Sequence, residues 1–337
     1  MRVAMLAPIA WSTPPAAYGP WEQVTSHLTE GLVQRGIDVT LFATGSSRTA
    51  GKLVATVPAG YAEREGQDPK VLEYLHIGQV MQAAADFDIV HNQFDFMPLG
   101  YSPLISPPMV TTVHGFSSEH IVPVYQKYND TTDYVSISNA NRDERLDYIA
   151  TVYNGVDTRQ FTFRDRPGHY LLYFGRIHPE KGTAEAIAIA RRARMPLWIA
   201  GLIQDHRYFD ERVAPHIDDE SVRYLGNVGP ADRDRILGGA HALLHPISFD
   251  EPFGLSVAES MVTGTPVIAF DRGSMPELID HGRTGYLTDS VEEAADLVGC
   301  ITDLDRFFVA EVARDRFSVE VMVDNYIDVY QTILARA

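Results

Sequence analysis

A chain of 337 residues has room for two domains of ordinary size, and a 45% hydrophobic content can pack a core in each. A formal net charge of −17, with no Lys/Arg cluster beyond short pairs such as Arg191-Arg192, argues against nucleic acid and against strong membrane association. The single cysteine, Cys300, excludes a disulfide framework and a cysteine-built metal site, and no apolar run approaches the roughly 18 residues of a membrane span.

The first eleven residues, MRVAMLAPIAW, are apolar but lack a long hydrophobic region and a small-residue cleavage site. They read as a buried strand at 3–7, and a cytoplasmic setting is expected. Residues 21–35 have helical spacing, with Val24, Leu28, Leu32 and Val33 on one face, and stop at Gly36. A strand follows at 39–43, a helix at 71–85, and strands at 89–91, 110–113, 134–137 and 151–153. These strands are continuous apolar runs, the pattern of strands buried on both faces of a parallel sheet. Residues 159–169 carry Arg, Asp, Pro and Gly without periodicity and read as a linker. The alternation then restarts. Strands are expected at 170–174, 197–200, 222–225, 242–244 and 267–269. The helices between them fall at 183–194, 205–214, 233–239 and 255–262, and a last helix at 319–337. The fold class is therefore α/β, two Rossmann-like doubly wound parallel-sheet domains facing a cleft. Ligands of such sheets sit beyond the carboxyl ends of the strands.

Four stretches there carry polar chemistry. After the first strand, a Pro-rich loop reaches Tyr18-Gly19-Pro20, with Pro20 at a helix start. It is either a plain turn or an anion-receiving helix N-terminus. After 110–113 comes His114-Gly115, a structural histidine or a ligand contact. After 170–174 comes GRIHPEKG, in which Arg176 and Lys181 flank a turn into a helix. That arrangement cradles a diphosphate unless both are solvated surface cations. After 242–244 comes HPISFDEPFGLSVAES. Glu251 stands just before a helix start whose amides belong to Phe253, Gly254 and Leu255, and Glu259 lies inside it among Val257, Ala258 and Met261. A carboxylate can accept both hydroxyls of a vicinal diol such as ribose.

In this order and spacing, EPFGLSVAE, GRIHPEKG, the NGVD of Asn154–Asp157, His114-Gly115 and TGTPVIAFDRGSMPELIDHGRTGYL resemble the retaining nucleotide-sugar glycosyltransferases of family 4, also called group 1. Those enzymes have the two-Rossmann GT-B fold. The resemblance covers nearly the whole chain. It implies an acceptor-binding domain at 1–158, a nucleotide-sugar-binding domain at 169–317, and a helix at 318–337 that packs back on the first. It implies that Arg176 and Lys181 bind the donor diphosphate, that Glu259 holds the ribose, and that Glu251 with the amides of Phe253, Gly254 and Leu255 holds the donor sugar. His114 would contact that sugar, and the loop at Val228 would meet the base through its backbone. Gly19 falls where the family carries a Gly-Gly pair, and Pro20 removes one N–H from that loop.

The implied reaction moves a hexose, with retention, from a nucleoside-diphosphate sugar to a hydroxyl of a small-molecule or saccharide acceptor. A UDP-sugar is favoured, GDP-mannose is the second reading, and neither a metal nor a further cofactor is required. Tyr18, Trp21, Asn92, Gln93 and Asp95 are the acceptor-binding candidates. Two alternatives use the same fold: a non-catalytic sugar-nucleotide-binding protein, and a retaining phosphorylase or synthase. A dinucleotide oxidoreductase would need G-x-G-x-x-G after the first strand, which is absent. The sequence carries no signal for the oligomeric state.

Overall fold

The computed structural model describes residues 1–16, 18–116 and 118–336, with only the backbone of Ala231. The last residue of the expected final helix, Ala337, lies outside the described residues. The chain forms two units, one of Met1–Gly155 with Val319–Ala337 and one of Val156–Ser318. The last helix, Val319–Leu334, thus belongs to the first unit.

The first unit holds strands β1 (Arg2–Leu6), β2 (Asp38–Ala43), β3 (Lys52–Ala55), β4 (Ile89–Asn92), β5 (Met109–Val113), β6 (Asp133–Ser136) and β7 (Tyr148–Thr151). They pair in the order β3-β2-β1-β4-β5-β6-β7, all parallel. The second unit holds β8 (Leu171–Phe174), β9 (Leu197–Ala200), β10 (Val222–Tyr224), β11 (Ala242–His245), β12 (Val267–Phe270) and β13 (Gly285–Thr288), in the parallel order β10-β9-β8-β11-β12-β13. Both sheets are the expected doubly wound kind. Their order reverses between β1 and β4 and between β8 and β11, which opens a crevice at the carboxyl ends of those strands.

The central strands β1 and β8 are apolar on both faces because helices cover both, so Val3, Ala4, Met5 and Leu6, like Leu171 and Leu172, are wholly buried. Three strand expectations differ from the structure, all at sheet edges. β3 and β13 carry only short apolar runs, Leu53–Ala55 and Tyr286-Leu287, at partly buried sheet edges, and neither was expected as a strand. β7 lies at 148–151 rather than 151–153, and all four of its residues are half-buried. The helix expected at 205–214 is a short helical turn, His206–Tyr208, followed by a π turn, Phe209–Val213, and a 3-10 turn, Ala214–His216. Pro215 has no N–H to donate, and its ring clashes with the carbonyl four residues back, so α-helical bonding cannot continue into Pro215.

In the first unit the last helix packs on helix Pro20–Gln34. The close approach depends on Gly31, where an added Cβ would lie 2.3 Å from Val323 Cγ2. Gly78, inside helix Pro69–Ala83, has nothing within 4 Å of a built Cβ. Gly31→Val is expected to destabilise the first unit by about 1–3 kcal/mol through overpacking. Gly78→Ala is expected to stabilise it by up to about 1 kcal/mol through helix propensity. Denaturant unfolding of both variants checks this, and equal shifts would contradict the packing assigned to the last helix.

Candidate active site

The second unit gathers its charged groups at the β8/β11 reversal. The loop after β8 carries Arg176 and Lys181, and the loop after β11 carries Glu251. The two loops are joined through backbone. Ser248 N–H donates to Glu180 C=O at 2.9 Å. Gly182 lies so close to the other loop that a Cβ there would sit 1.9 Å from Pro246 O, and its φ of 74° suits glycine. Glu251 is fixed from behind in the same way. Ser274 N–H donates to Glu251 C=O at 3.0 Å, and a Cβ on Gly273 would meet Glu251 N at 2.3 Å. The GRIHPEKG and DRGSMPEL stretches therefore both serve to hold one carboxylate.

That carboxylate is largely buried and paired. Lys181 Nζ lies 2.5 Å from Glu251 Oε2, with side chains 14% and 13% exposed. Lys181 also sits over the Phe249 ring at 4.5 Å. His245, the last residue of β11, places Nε2 3.5 Å from the same oxygen, an electrostatic contact rather than a formed hydrogen bond. Burial pushes the Glu251 carboxyl up. The facing His245 and Lys181 outweigh burial and hold it at about 2. Arg176 donates from Nη1 to Gln204 Oε1, and its backbone carbonyl accepts the Tyr173 hydroxyl at 2.6 Å.

Glu251 precedes helix Leu255–Val262, capped by Gly254, and Glu259 is that helix's fifth residue. Phe253 is buried with its ring edge-on to Phe317, and its carbonyl accepts the Ser274 hydroxyl at 2.7 Å, so the helix start is rigidly seated. Glu259 is 8% exposed. Arg233 Nη1 lies 3.0 Å from Glu259 Oε1 and stands over the Phe174 ring, at the end of β8, at 5.7 Å. Burial raises the proton affinity of Glu259, and Arg233 opposes it. Val228 lies half-buried in the loop ahead of helix Pro230–Gly238, which carries Arg233. Arg233 and His245 escaped sequence reasoning. Their roles come from partners 26 and 6 residues away that only folding brings within reach.

In the first unit, Gly19 caps helix Pro20–Gln34, and Tyr18 packs edge-on against Trp11. Trp21 stacks on His114, ring centroids 5.2 Å apart. Asn92 and Gln93 are fully buried. The Asn92 amide donates to Asp95 C=O at 2.9 Å and accepts Phe94 N–H at 3.0 Å, so it shapes the loop that follows β4. The Asp95 carboxylate accepts the Tyr125 hydroxyl at 2.7 Å, and burial raises its proton affinity. Glu22 was not anticipated. It lies buried in the first helical turn, accepts Trp11 N–H at 3.2 Å, and is pushed by burial to about 7. Among the described residues no group of three or more His, Cys, Asp or Glu could hold a metal ion, and no helix is long and apolar enough to cross a membrane.

Two family models match the chain. Residues 21–160 match Glycosyltransferase Family 4, and residues 157–304 match Glycosyl transferases group 1. The chain belongs to the family 4, group 1 glycosyltransferases. Its fold is GT-B. It is 25% identical to a glycogen synthase of Mycobacterium tuberculosis, over 85% of this chain and 81% of that one. Its fold matches sucrose-phosphate synthase from Thermosynechococcus elongatus with a TM-score of 0.80 at 17% identity, over all of both chains. It matches Anabaena HepE, solved with UDP-glucose, with a TM-score of 0.74 at 18% identity, over 98% of this chain and 100% of that one.

The folded Glu251 carboxyl, at about 2, lies below the ordinary carboxylate value of about 4.3. Its ionised form therefore adds stability above pH ~4.5, and that contribution drains as the pH falls toward 2. Lys181→Met removes the cation and leaves a buried carboxylate facing only His245. The expected loss at neutral pH is on the order of 3–5 kcal/mol, with the acid limb of stability displaced to higher pH. Unfolding of wild type and variant from pH 7 to 3 measures both, and superimposable acid limbs would refute the assigned pairing.

Proposed function

We propose that this glycosyltransferase transfers a hexose, with retention of configuration, from a nucleoside-diphosphate sugar to a hydroxyl of a soluble acceptor. The observation that carries the reading is the pairing at the β8/β11 crevice, Lys181 with Glu251 and Arg233 with Glu259. Two cations and two carboxylates stand ready there with defined partners. In this reading the second unit takes the donor and the first takes the acceptor.

Lys181 and Arg176 receive the diphosphate, the amides of Phe253, Gly254 and Leu255 add donors, and Glu251 accepts hydroxyls of the transferred sugar. Glu259 offers the ribose its second oxygen while Arg233 holds the first. Val228 meets the base through its backbone, and Gly19 lets its loop approach the donor. His114 contacts the sugar, and Tyr18, Trp21 and Asp95 are the side chains proposed to meet the acceptor. In the transfer step the anomeric C–O bond to the diphosphate breaks and a bond to the acceptor oxygen forms. The acceptor proton passes to the departing phosphate oxygen on the same face. Cations fixed beside a leaving diphosphate stabilise the charge that develops on it, and no metal is invoked. A UDP-sugar is the preferred donor. HepE, a protein of the same fold, was solved with UDP-glucose.

The test is thermal unfolding with UDP, GDP, ADP and their sugar conjugates, on wild type and Glu259→Ala. A nucleotide present at 100 times its Kd adds about 2.7 kcal/mol. One base should raise the transition of wild type and leave the variant unmoved. Incubation of the matching sugar nucleotide with candidate saccharides should then yield an α-linked product by NMR. No shift with any nucleotide would overturn the reading, and a β-linked product would overturn retention.

A further inference from the structure

A second polar cluster lies buried in the first unit. Tyr326 and Tyr330 of the last helix, His91 of β4, Thr112 of β5, and Gln93 are all under 4% exposed, and His114 is 6% exposed. Gln93 Nε2 lies 2.9 Å from His91 Nε2 and 3.2 Å from Thr112 Oγ1. The amide nitrogen donates, so His91 Nε2 accepts and the His91 proton sits on Nδ1. From there it is donated to the Tyr330 hydroxyl oxygen at 2.6 Å. Thr112 Oγ1 lies 2.8 Å from His91 Nε2 and 2.7 Å from the Tyr326 hydroxyl. With the amide placed this way, Gln93 Oε1 faces His114, whose Nε2 lies 2.6 Å away. An amide oxygen can only accept, so the His114 proton is on Nε2 and its Nδ1 lone pair is free of a proton. Burial holds both rings at about 3, with His114 also disfavouring charge on His91, and both are neutral.

We propose that Gln93 is a positioning residue. Anchored by the last helix through Tyr330, His91, Thr112 and Tyr326, it fixes His114 as a neutral ring protonated at Nε2. Stacking on Trp21 sets the ring plane. His114 then presents Nδ1 as an acceptor suited to a hydroxyl of the donor sugar, not as a cation. This rests on the sugar-contact role given to His114 above. It explains why a helix more than 200 residues from His114 in sequence shares a buried hydrogen-bond network with it.

The direct test is ring ¹⁵N NMR of the full chain with labelled histidine. Wild type should show His114 protonated at Nε2 alone from pH 5 to 8. A proton on Nδ1, or a protonated ring in that range, overturns the proposal without any variant. Gln93→Leu should release the tautomer and lower transfer turnover about tenfold, the loss expected for one hydrogen bond's orientation. Nucleoside-diphosphate affinity should stay within twofold, because the side chains proposed to hold it, Arg176, Lys181 and Glu259, lie in the second unit. Tyr330→Phe, which removes only the anchoring hydroxyl, should give an intermediate loss of turnover. Turnover unchanged in Gln93→Leu, with donor binding intact, overturns the positioning role alone. Failure of wild type to bind any nucleoside diphosphate overturns the transferase reading instead.

Discussion

A buried carboxylate cannot stay ionised without a partner, and the second unit is arranged around that constraint. Glu251 carries its charge because Lys181 meets it at 2.5 Å and His245 faces the same oxygen. Lys181 can be there only because its loop is locked against the loop after β11, with Gly182 packed on Pro246 and Ser248 bonded to Glu180. The parallel order that reverses between β8 and β11 brings these loops side by side. Strand order, loop contact and ion pair are thus one structural fact at three scales.

Glu259 obeys the same rule one helix further on. It is buried, and Arg233 supplies its countercharge while resting on Phe174. The first unit solves the problem differently. Its buried titratable groups around His114 are neutral, and hydrogen bonds rather than ion pairs settle their protonation. One unit therefore offers fixed charge to a ligand, and the other offers fixed hydrogen-bond polarity.

Much of this was legible in the sequence where apolar runs and punctuation agree. Central strands such as β1, β8 and β11 and helix Leu255–Val262 follow from continuous apolar runs ending in polar loops. That is why Lys181 and Glu251 could be placed after strand ends and Glu259 inside the helix that follows. Edge strands β3 and β13 were missed and β7 was expected at 151–153 rather than 148–151, because a half-buried edge carries only a short, weakly marked apolar run. Arg233 looked like an ordinary residue of a polar helix, and nothing local marks its partner in the helix that follows β11. Gln93 was legible as a polar residue after a strand, but its burial was not. Its neighbours Thr112 and Tyr326 are brought beside it by strand β5 and by the last helix, far apart in sequence.

The most direct measurement is a crystal structure with a bound nucleoside diphosphate. The account predicts ribose hydroxyls on Glu259, with Arg233 still on its other oxygen, and phosphate oxygens within hydrogen-bond distance of Lys181 and Arg176. A nucleotide bound elsewhere, or one whose phosphates leave the Lys181–Glu251 pair untouched and whose ribose avoids Glu259, would contradict it.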